Sequence, residues 1–147
     1  HFCAVGSAAD VQCWGENSNG QLGDNLSSGI FSNVPRAVGS ISTATAVRSA
    51  VSTSIAILQD GTLQCWGTNS NAQFGIGNTT PSASPVACGT GLVNIREVSM
   101  NSDGGATTVC ALTDSGTIFC WGDNTYGQTG LAAGTATQSP GPELVHP

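Results

Sequence analysis

The six cysteines of this 147-residue chain are the residues whose spacing most directly predicts chemistry. Cys3 and Cys13 are ten positions apart, and so are Cys110 and Cys120. Each pair encloses a turn signal, which predicts two strands joined by a short turn. Positions symmetric about such a turn face each other with Cβ atoms ~4.5–5.5 Å apart, close to disulfide geometry. The spacing therefore predicts the disulfides Cys3–Cys13 and Cys110–Cys120.

The two remaining cysteines, Cys65 and Cys88, break this pattern. Cys65 takes the second position of the middle hairpin, but Ile55 stands at the first position. Cys65 is therefore left to pair with Cys88. A spacing of ten is not a metal pattern, because zinc sites use two to four intervening residues. Reduced, buried thiols are the alternative, whereas three disulfides predict an oxidising compartment and a secreted or cell-surface protein.

Other catalytic and metal chemistries have few candidate residues. The two histidines are His1 and His146, at the two ends of the chain, so no internal base is available to activate a serine. The acidic residues Glu16, Asp24 and Asp123 do not recur at matched positions as a calcium loop requires. Paired carboxylates for glycoside hydrolysis cannot be picked out among the nine acids. The sequence predicts a non-enzymatic protein with no catalytic residues, metal or cofactor.

The charge composition restricts the partners. Only 8% of residues are charged, lysine is absent, and the formal net charge is −6. Such a surface repels a phosphate backbone, so no nucleic-acid partner is expected. The apolar stretches fall far short of the ~20 residues that a membrane-spanning helix needs. Surfaces this poor in charge are often covered by protein partners, by copies of themselves or by glycans. Two N-glycosylation acceptors, Asn25 and Asn78, are present.

A ten-residue motif occurs three times, beginning at Trp14, Trp66 and Trp121, each directly after a cysteine. The copies are spaced by 52 and 55 residues, so a unit of ~50 residues is repeated. The approximate repeats are residues 1–45, 46–93 and 94–147. Asn and Gln recur in the motif and could bind a ligand. The favoured interpretation is structural: each Trp packs between neighbouring repeats, and Asn and Gln bond turn backbone.

Each repeat shows short strands separated by turns rich in Gly, Asn, Ser and Pro, with no helical period. The predicted strands are Phe2–Val5, Val11–Trp14, Pro35–Val38, Ala46–Ser49, Ser54–Leu58, Leu63–Trp66, Pro85–Cys88, Asn94–Ser99, Val109–Leu112, Ile118–Trp121 and Glu143–Val145. Four short strands per unit are typical of a propeller blade. Three blades are fewer than the ~4 that a closed ring needs. The sequence therefore predicts an all-β fold of three four-stranded antiparallel propeller blades, the first lacking a strand, in an incomplete ring.

The motif resembles the regulator of chromosome condensation repeat: Cys-Ala, a turn, Cys-Trp-Gly-x-Asn-x-x-Gly-Gln-Leu-Gly, and then Pro-x-x-Val. The resemblance covers nearly the whole chain and implies a β-propeller, which in this family usually has seven blades. The cysteine-containing subtype resembles secreted, often bacterial, proteins. The chain departs from the pattern at Ala72, where the motif has Gly, at Thr129, where it has Leu, and at Asn101–Thr108, an insertion before the third hairpin.

These observations favour a non-enzymatic extracellular structural or assembly protein that acts through protein–protein contacts and polymerises with copies of itself. One alternative is a secreted binding module or protein inhibitor, as a fragment of a longer seven-bladed protein. A guanine-nucleotide exchange factor for a small GTPase, which the founding member of the family implies, is less favoured because of the predicted disulfides.

Overall fold

The computed structural model describes residues 1–26, 31–103, 105–132 and 138–144, and it describes only the backbone of Asp103 and of 138–144. Within these residues there are eleven β-strands and no helix, and hence no helix that could cross a membrane. The strands are β1 Phe2–Val5, β2 Val11–Gly15, β3 Ser32–Ala37, β4 Ala44–Ser49, β5 Thr53–Leu58, β6 Leu63–Gly67, β7 Ser82–Cys88, β8 Ile95–Asp103, β9 Ala106–Thr113, β10 Ile118–Asp123 and β11 Gln138–Leu144.

The strands form three antiparallel sheets in which consecutive strands pair. Blade 1 contains β1–β3, blade 2 contains β4–β7, and blade 3 contains β8–β11. Blade 1 has three strands, because no strand in the described part of the chain pairs with the free edge of β1. The predicted all-β fold of three antiparallel blades, the first lacking a strand, is confirmed, and the described blades close no ring.

The burial of matched strands shows how the blades are stacked. In β5 of blade 2, Ser54, Ile55 and Ala56 are all fully buried, although successive side chains point to opposite faces. Blade 1 covers one face of blade 2, and blade 3 covers the other. In β1, by contrast, Phe2 is 70% exposed and Ala4 is exposed. Blade 1 is therefore covered on one face only.

Two apolar clusters fill the spaces between the blades. The cluster between blades 1 and 2 consists of Val11, Cys13, Leu22, Val38, Ala44, Ala56 and Trp66. The cluster between blades 2 and 3 consists of Ile55, Ile57, Leu63, Cys65, Phe74, Cys88, Ile95, Val98, Val109, Ala111 and Trp121. Because a single sheet exposes both of its faces, each blade depends on its neighbours for burial, as expected of a repeat array.

Several strands are longer than predicted. The insertion Asn101–Thr108 does not form a separate loop but extends the β8–β9 hairpin, with Asn101 paired to Thr108 and Asp103 paired to Ala106. The predicted ends at Ser99 and Val109 are therefore wrong. Main-chain hydrogen bonds hold these polar residues in the sheet without an apolar pattern.

The last strand of each blade also begins earlier than predicted. The predicted strands start at a proline in blades 1 and 2, whereas β3 and β7 begin at Ser32 and Ser82. In blade 3, β11 begins at Gln138. Ser32 and Ser82 each donate a side-chain hydrogen bond to the carbonyl two residues ahead. Val145 and His146 lie outside the described residues.

Candidate functional site: the junctions between blades

A β-bulge recurs at the tryptophan of each motif. The register between the second strand and the next strand of each blade shifts between Cys13 and Gly15, between Cys65 and Gly67, and between Cys120 and Gly122. The glycine after each Trp has a positive φ, 100° at Gly15, 96° at Gly67 and 98° at Gly122. A bulge re-aims a side chain, and glycine adopts this backbone conformation without a steric cost. Each Trp therefore occupies the same position in its blade.

Trp66 and Trp121 each join their blade to the preceding one. Trp66 Nε1 donates a hydrogen bond of 2.8 Å to the main-chain carbonyl of Gln21, in the motif loop of blade 1. Trp121 Nε1 donates a hydrogen bond of 2.8 Å to the carbonyl of Gln73, in the motif loop of blade 2. Both indoles are fully buried. The predicted packing of the motif Trp between blades is observed at these two positions.

A glycine in each motif loop allows the neighbouring indole to come close. A Cβ atom built on Gly23 would lie 2.8 Å from Trp66 Cδ1, and one built on Gly75 would lie 2.9 Å from Trp121 Nε1. Both glycines also have a positive φ, 69° and 61°. The final glycine of these two motifs therefore leaves room for the indole ring of the blade that follows.

The recurring Asn and Gln side chains stabilise the motif loops from within. The Asn Oδ1 accepts the amide N–H five residues ahead, and the Gln Oε1 accepts the N–H two residues back. The Asn bonds are Leu22 N–H to Asn17, Phe74 N–H to Asn69 and Thr129 N–H to Asn124. The Gln bonds are Asn19 N–H to Gln21, Asn71 N–H to Gln73 and Tyr126 N–H to Gln128. These acceptors are used internally, which supports the structural interpretation of the motif.

Trp14 lacks the contacts that its two counterparts make. It is only half-buried and stacks on Phe2, with ring centroids 6.4 Å apart. Among the described residues, none accepts a hydrogen bond from Trp14 Nε1. We call the side of blade 1 that carries Phe2, Ala4 and Trp14 the head face. The head face corresponds to the surface that blades 2 and 3 present to the blades before them.

The motif loop of blade 3, residues 124–130, is the complementary surface, and we call it the tail loop. Gln128 and Gly130 are exposed there, whereas Gln21, Gln73 and the counterpart glycines of blades 1 and 2 are buried. No described residue donates a hydrogen bond to the Gln128 carbonyl. Within the described residues, the Trp14 indole and the Gln128 carbonyl therefore do not make the contact that joins blades 1 and 2 and blades 2 and 3.

The six cysteines form the three pairs that the spacing predicts. Cys3–Cys13 and Cys110–Cys120 bridge the first hairpin of blades 1 and 3, each with a Cα–Cα distance of 4.1 Å. Cys65–Cys88 bridges β6 and β7 in blade 2, with a Cα–Cα distance of 5.8 Å. Ile55, which replaces the first hairpin cysteine of blade 2, is fully buried in the core.

The one histidine in the described part of the chain, His1, contacts a serine but does not activate it. Ser54 Oγ donates to the Gln21 carbonyl at 3.2 Å and lies 2.7 Å from His1 Nε2. A hydroxyl has one proton, so His1 Nε2 is the donor in the second bond. Ser54 is also fully buried. This pair ties blade 1 to blade 2 and is not a nucleophile–base arrangement.

The hairpin turns lie at the opposite ends of the strands from the motif loops. Between blades 2 and 3 they border a shallow cleft of about 250 Å³, lined in part by Asp60, Asn94, Arg96 and Asp114. The side chain and amide of Thr62 donate to Asp60 and hold the pKa of this carboxyl below its usual range. No group of three potential metal ligands occurs among the residues that the structure describes.

The two N-glycosylation acceptors, Asn25 and Asn78, are both exposed. Asn25 has a positive φ of 61°, and its Oδ1 accepts a hydrogen bond of 2.9 Å from Ser84 of blade 2. Asn78 Oδ1 accepts the Thr80 amide at 2.9 Å. The acidic residues Glu16, Asp24 and Asp123 make separate local bonds: Glu16 accepts from Ser18, Asp24 pairs with Arg36, and Asp123 accepts from Gln128.

Sequence reasoning missed Phe2 and the main-chain carbonyls that accept the indole hydrogen bonds. Main-chain carbonyls occur at every residue, so residue type does not reveal which of them is used. The repetition of Gln two positions before a glycine was the available signal. It located the loop without identifying the acceptor atom.

The Gly75–Trp121 contact gives a testable expectation. We expect Gly75→Ala to lower the free energy of unfolding by about 2–4 kcal/mol, because the new methyl group adds overpacking to left-handed backbone strain. Gly77→Ala is the matched control, since Gly77 also has a positive φ, 78°, but no atom lies within 4 Å of its built Cβ. It should cost only about 1–2 kcal/mol, from the left-handed backbone strain alone. Equal losses for both variants in urea denaturation would contradict the close contact.

Comparison with known proteins identifies this architecture. Residues 96–128 match the Regulator of chromosome condensation (RCC1) repeat. The ultraviolet-B receptor UVR8 of Arabidopsis thaliana is 32% identical over 142 residues, which are 95% of this chain and 30% of the receptor. Residues 96–128 therefore carry an RCC1 repeat, and most of the chain is similar to a receptor that is 32% identical to it. The human E3 ubiquitin-protein ligase HERC2 is 25% identical over 146 residues, 95% of this chain but only 3% of the ligase.

Solved structures show the same RCC1-type fold. Human WBSCR16 superposes with a TM-score of 0.80 at 21% identity, covering 99% of this chain and 35% of WBSCR16. Prp20p of Saccharomyces cerevisiae superposes with a TM-score of 0.79 at 18% identity, covering 99% of this chain and 36% of Prp20p. The chain spans about a third or less of the length of these relatives.

Proposed function

We propose that this chain is a non-enzymatic extracellular structural protein that acts through protein–protein contacts and assembles head to tail with copies of itself. In this assembly, Trp14 on the head face of one copy packs against the tail loop of another copy. Trp14 Nε1 donates to the Gln128 carbonyl, and Gly130 leaves room for the indole ring.

The observation that carries the proposal is that the head face and the tail loop are copies of the two surfaces that already join neighbouring blades. The same contact is made twice inside the chain, Trp66 on Gln21 and Trp121 on Gln73. Ala4 of the head face is exposed, whereas its counterparts Ala56 and Ala111 are at most 1% exposed. Because both halves of the contact are present on one chain, the tail loop of one copy fits the head face of another.

The symmetry of this contact sets the form of the assembly. Head and tail are different surfaces, so the interface is heterologous and each added copy again presents a free head and a free tail. Such interfaces generate rings when the rotation closes and filaments when it does not. Apolar residues such as Phe2 become buried at each junction, which supplies the driving force.

The extracellular location is proposed on two grounds. Three disulfides persist in oxidising compartments and are rare in the cytosol. The acceptors Asn25 and Asn78 are exposed, as glycosylation requires. Glycans at these positions would also cover a surface that is poor in charge.

Complementation between two blocked variants tests the proposal. Trp14→Ala removes the head, and Gly130→Val places a branched side chain in the tail at a residue with a φ of 84°. We expect the native chain to form large species whose size grows with concentration in sedimentation velocity, and each variant alone to stay monomeric. An equimolar mixture should form only a dimer, of twice the 14.7 kDa mass of one chain. In that dimer, the intact head face of Gly130→Val contacts the intact tail loop of Trp14→Ala, and the other two surfaces are blocked.

The control variant is Val93→Ala, which removes an apolar side chain that is 57% exposed and lies away from both surfaces. It should assemble like the native chain. A native chain that remains monomeric at all concentrations contradicts the proposal. So does assembly that persists in Trp14→Ala.

A second candidate, a secreted binding module or inhibitor, is supported by the greater length of the solved relatives and by the protein partners of one of them. The chain covers 36% of Prp20p, which binds Gsp1p and histones. Under this candidate, the three blades are part of a longer propeller whose loops bind a protein partner. A monomeric native chain in the sedimentation experiment would favour it over assembly.

A further inference from the structure

Asn19, in the motif loop of blade 1, belongs to a reactive pair of residues. Of the ten asparagines in the chain, it is the one that a glycine directly follows. In such a pair, the glycine amide nitrogen can attack the side-chain amide carbon of the asparagine and expel ammonia, which forms a cyclic imide. Glycine favours this ring closure because it has no side chain and an adaptable backbone. Water then opens the imide to aspartate, or to isoaspartate when the main chain continues through the side-chain carbon.

The folded loop holds both reacting groups of this pair in other bonds. The Gly20 N–H, whose nitrogen would attack, donates to the Asn17 carbonyl at 3.2 Å. The Asn19 side-chain amide, which would leave as ammonia, donates to Ser52 Oγ of blade 2 at 3.4 Å. The Asn19 main-chain N–H donates to Gln21 Oε1 at 2.8 Å. Ring closure therefore requires the loop to open first.

Blade 2 in turn holds the loop closed. A Cβ atom built on Gly20 would lie 2.7 Å from the Cα atom of Ala83 in β7, so Gly20 packs directly on that strand. The next residue, Gln21, accepts hydrogen bonds on its carbonyl from Trp66 Nε1 and Ser54 Oγ. The loop cannot open around Gly20 without breaking these contacts between blades 1 and 2.

We propose that Asn19 is a deamidation site whose reaction is controlled by the junction between blades 1 and 2. Each event consumes one water molecule, releases one molecule of ammonia and leaves a carboxylate in place of a neutral amide. Isoaspartate also adds a methylene group to the main chain just before Gln21. The carbonyl that binds Trp66 is then displaced, so a transient opening of the junction becomes permanent. This inference goes beyond the proposed function and does not depend on the head-to-tail assembly.

Peptide mapping by mass spectrometry follows the conversion of Asn19 during incubation at mildly alkaline pH. A peptide with the sequence of residues 14–23 gives the rate without the fold. We expect the native chain to convert about 100-fold more slowly or slower still, because opening a buried junction costs free energy. Asn71 is the internal control, since Ala72 follows it in the matching loop of blade 2. In the urea-unfolded chain, Asn71 should convert more slowly than Asn19.

A matched pair of tryptophan variants locates the opening. Trp66→Phe removes the indole N–H that bonds to the Gln21 carbonyl, and it should speed the conversion of Asn19 by about tenfold. Trp121→Phe makes the same change at the junction between blades 2 and 3, where the acceptor is the Gln73 carbonyl. It should leave the rate at Asn19 within about twofold, because local opening is confined to one junction. Urea denaturation establishes that both variants fold.

The separated isoaspartate form tests the consequence of the reaction. It should unfold at a lower urea concentration than the native chain. The control Asn19→Asp supplies the new charge without lengthening the main chain, so it should unfold close to the native midpoint.

Three results would each overturn the inference. The first is a native chain that converts at Asn19 as fast as the peptide does. The second is a Trp66→Phe variant that converts no faster than the native chain, or no faster than Trp121→Phe. The third is an isoaspartate form as stable as Asn19→Asp. A native chain that stays monomeric contradicts the proposed assembly but leaves all of these expectations unchanged.

Discussion

Replacing Trp66 by Ala should lower the free energy of unfolding by about 3–5 kcal/mol, the range for truncating a buried aromatic residue. The side chain is fully buried, packs against Gly23 of blade 1 and donates to the Gln21 carbonyl. Its loss would open a cavity between blades 1 and 2 and leave the carbonyl with one partner fewer. Urea denaturation with the disulfides intact measures the change.

Trp14→Ala is the matched control, because Trp14 occupies the same position in its blade. It is half-buried, and its one aromatic contact is with Phe2. We expect a loss of about 1 kcal/mol or less, typical of a partly exposed aromatic pair. The comparison is made with dilute protein, so that assembly does not contribute. If Trp14→Ala and Trp66→Ala lower the free energy of unfolding equally, the role of the indole in joining blades is contradicted.

Trp66→Phe separates the hydrogen bond from the packing. Phenylalanine retains much of the apolar volume but lacks the indole N–H, so the Gln21 carbonyl keeps only the bond from Ser54. We expect an intermediate loss of about 1–3 kcal/mol, the usual cost of one unmade buried hydrogen bond together with modest repacking. A loss as large as that of Trp66→Ala would assign the whole effect to the indole hydrogen bond and shape.

Removing the Cys65–Cys88 disulfide should produce the second large effect. The double variant Cys65→Ala, Cys88→Ala should lose about 3.4 kcal/mol in the chain-entropy relation, because the bridge closes a loop with a sequence separation of 23. Both cysteines are also buried in the core between blades 2 and 3. Thermal unfolding followed by circular dichroism measures the loss as a lower Tm.

The hairpin disulfide Cys3–Cys13 provides the comparison. Its sequence separation is 10, for which the same relation gives about 2.7 kcal/mol. The bridge closes a shorter loop, so the unfolded chain gains less freedom when it is absent. We expect the Cys3→Ala, Cys13→Ala variant to be the more stable of the two. A greater loss from the hairpin bridge would contradict this ranking.

The repeated motif predicted much of the fold because it combines two constraints. A cysteine pair spaced by ten residues fixes a hairpin and its register, and the Trp-Gly that follows marks the end of its second strand. The ends of β8 and β9 could not be predicted in this way. Asn101 and Thr108 pair through main-chain bonds, which polar side chains do not signal.

The candidate site was predicted only in part. The role of the motif Trp in joining blades follows from its recurrence in an array, and Trp66 and Trp121 fulfil it. The sequence alone does not distinguish Trp14 from them, because all three follow a cysteine and precede a glycine. The difference arises from what packs on each blade, which is a tertiary property. The pairing of Trp14 with Phe2 has no counterpart in the other blades.

Solvent exchange of the indole N–H groups tests the head-to-tail contact most directly. The chain has three tryptophans, so three indole signals are expected in a ¹H–¹⁵N spectrum. In D₂O, the signals of Trp66 and Trp121 should be protected at every protein concentration. The Trp14 signal should exchange rapidly in dilute samples and become protected as concentration rises, and Gly130→Val should abolish that protection. A Trp14 indole that exchanges equally fast at all concentrations would contradict the contact.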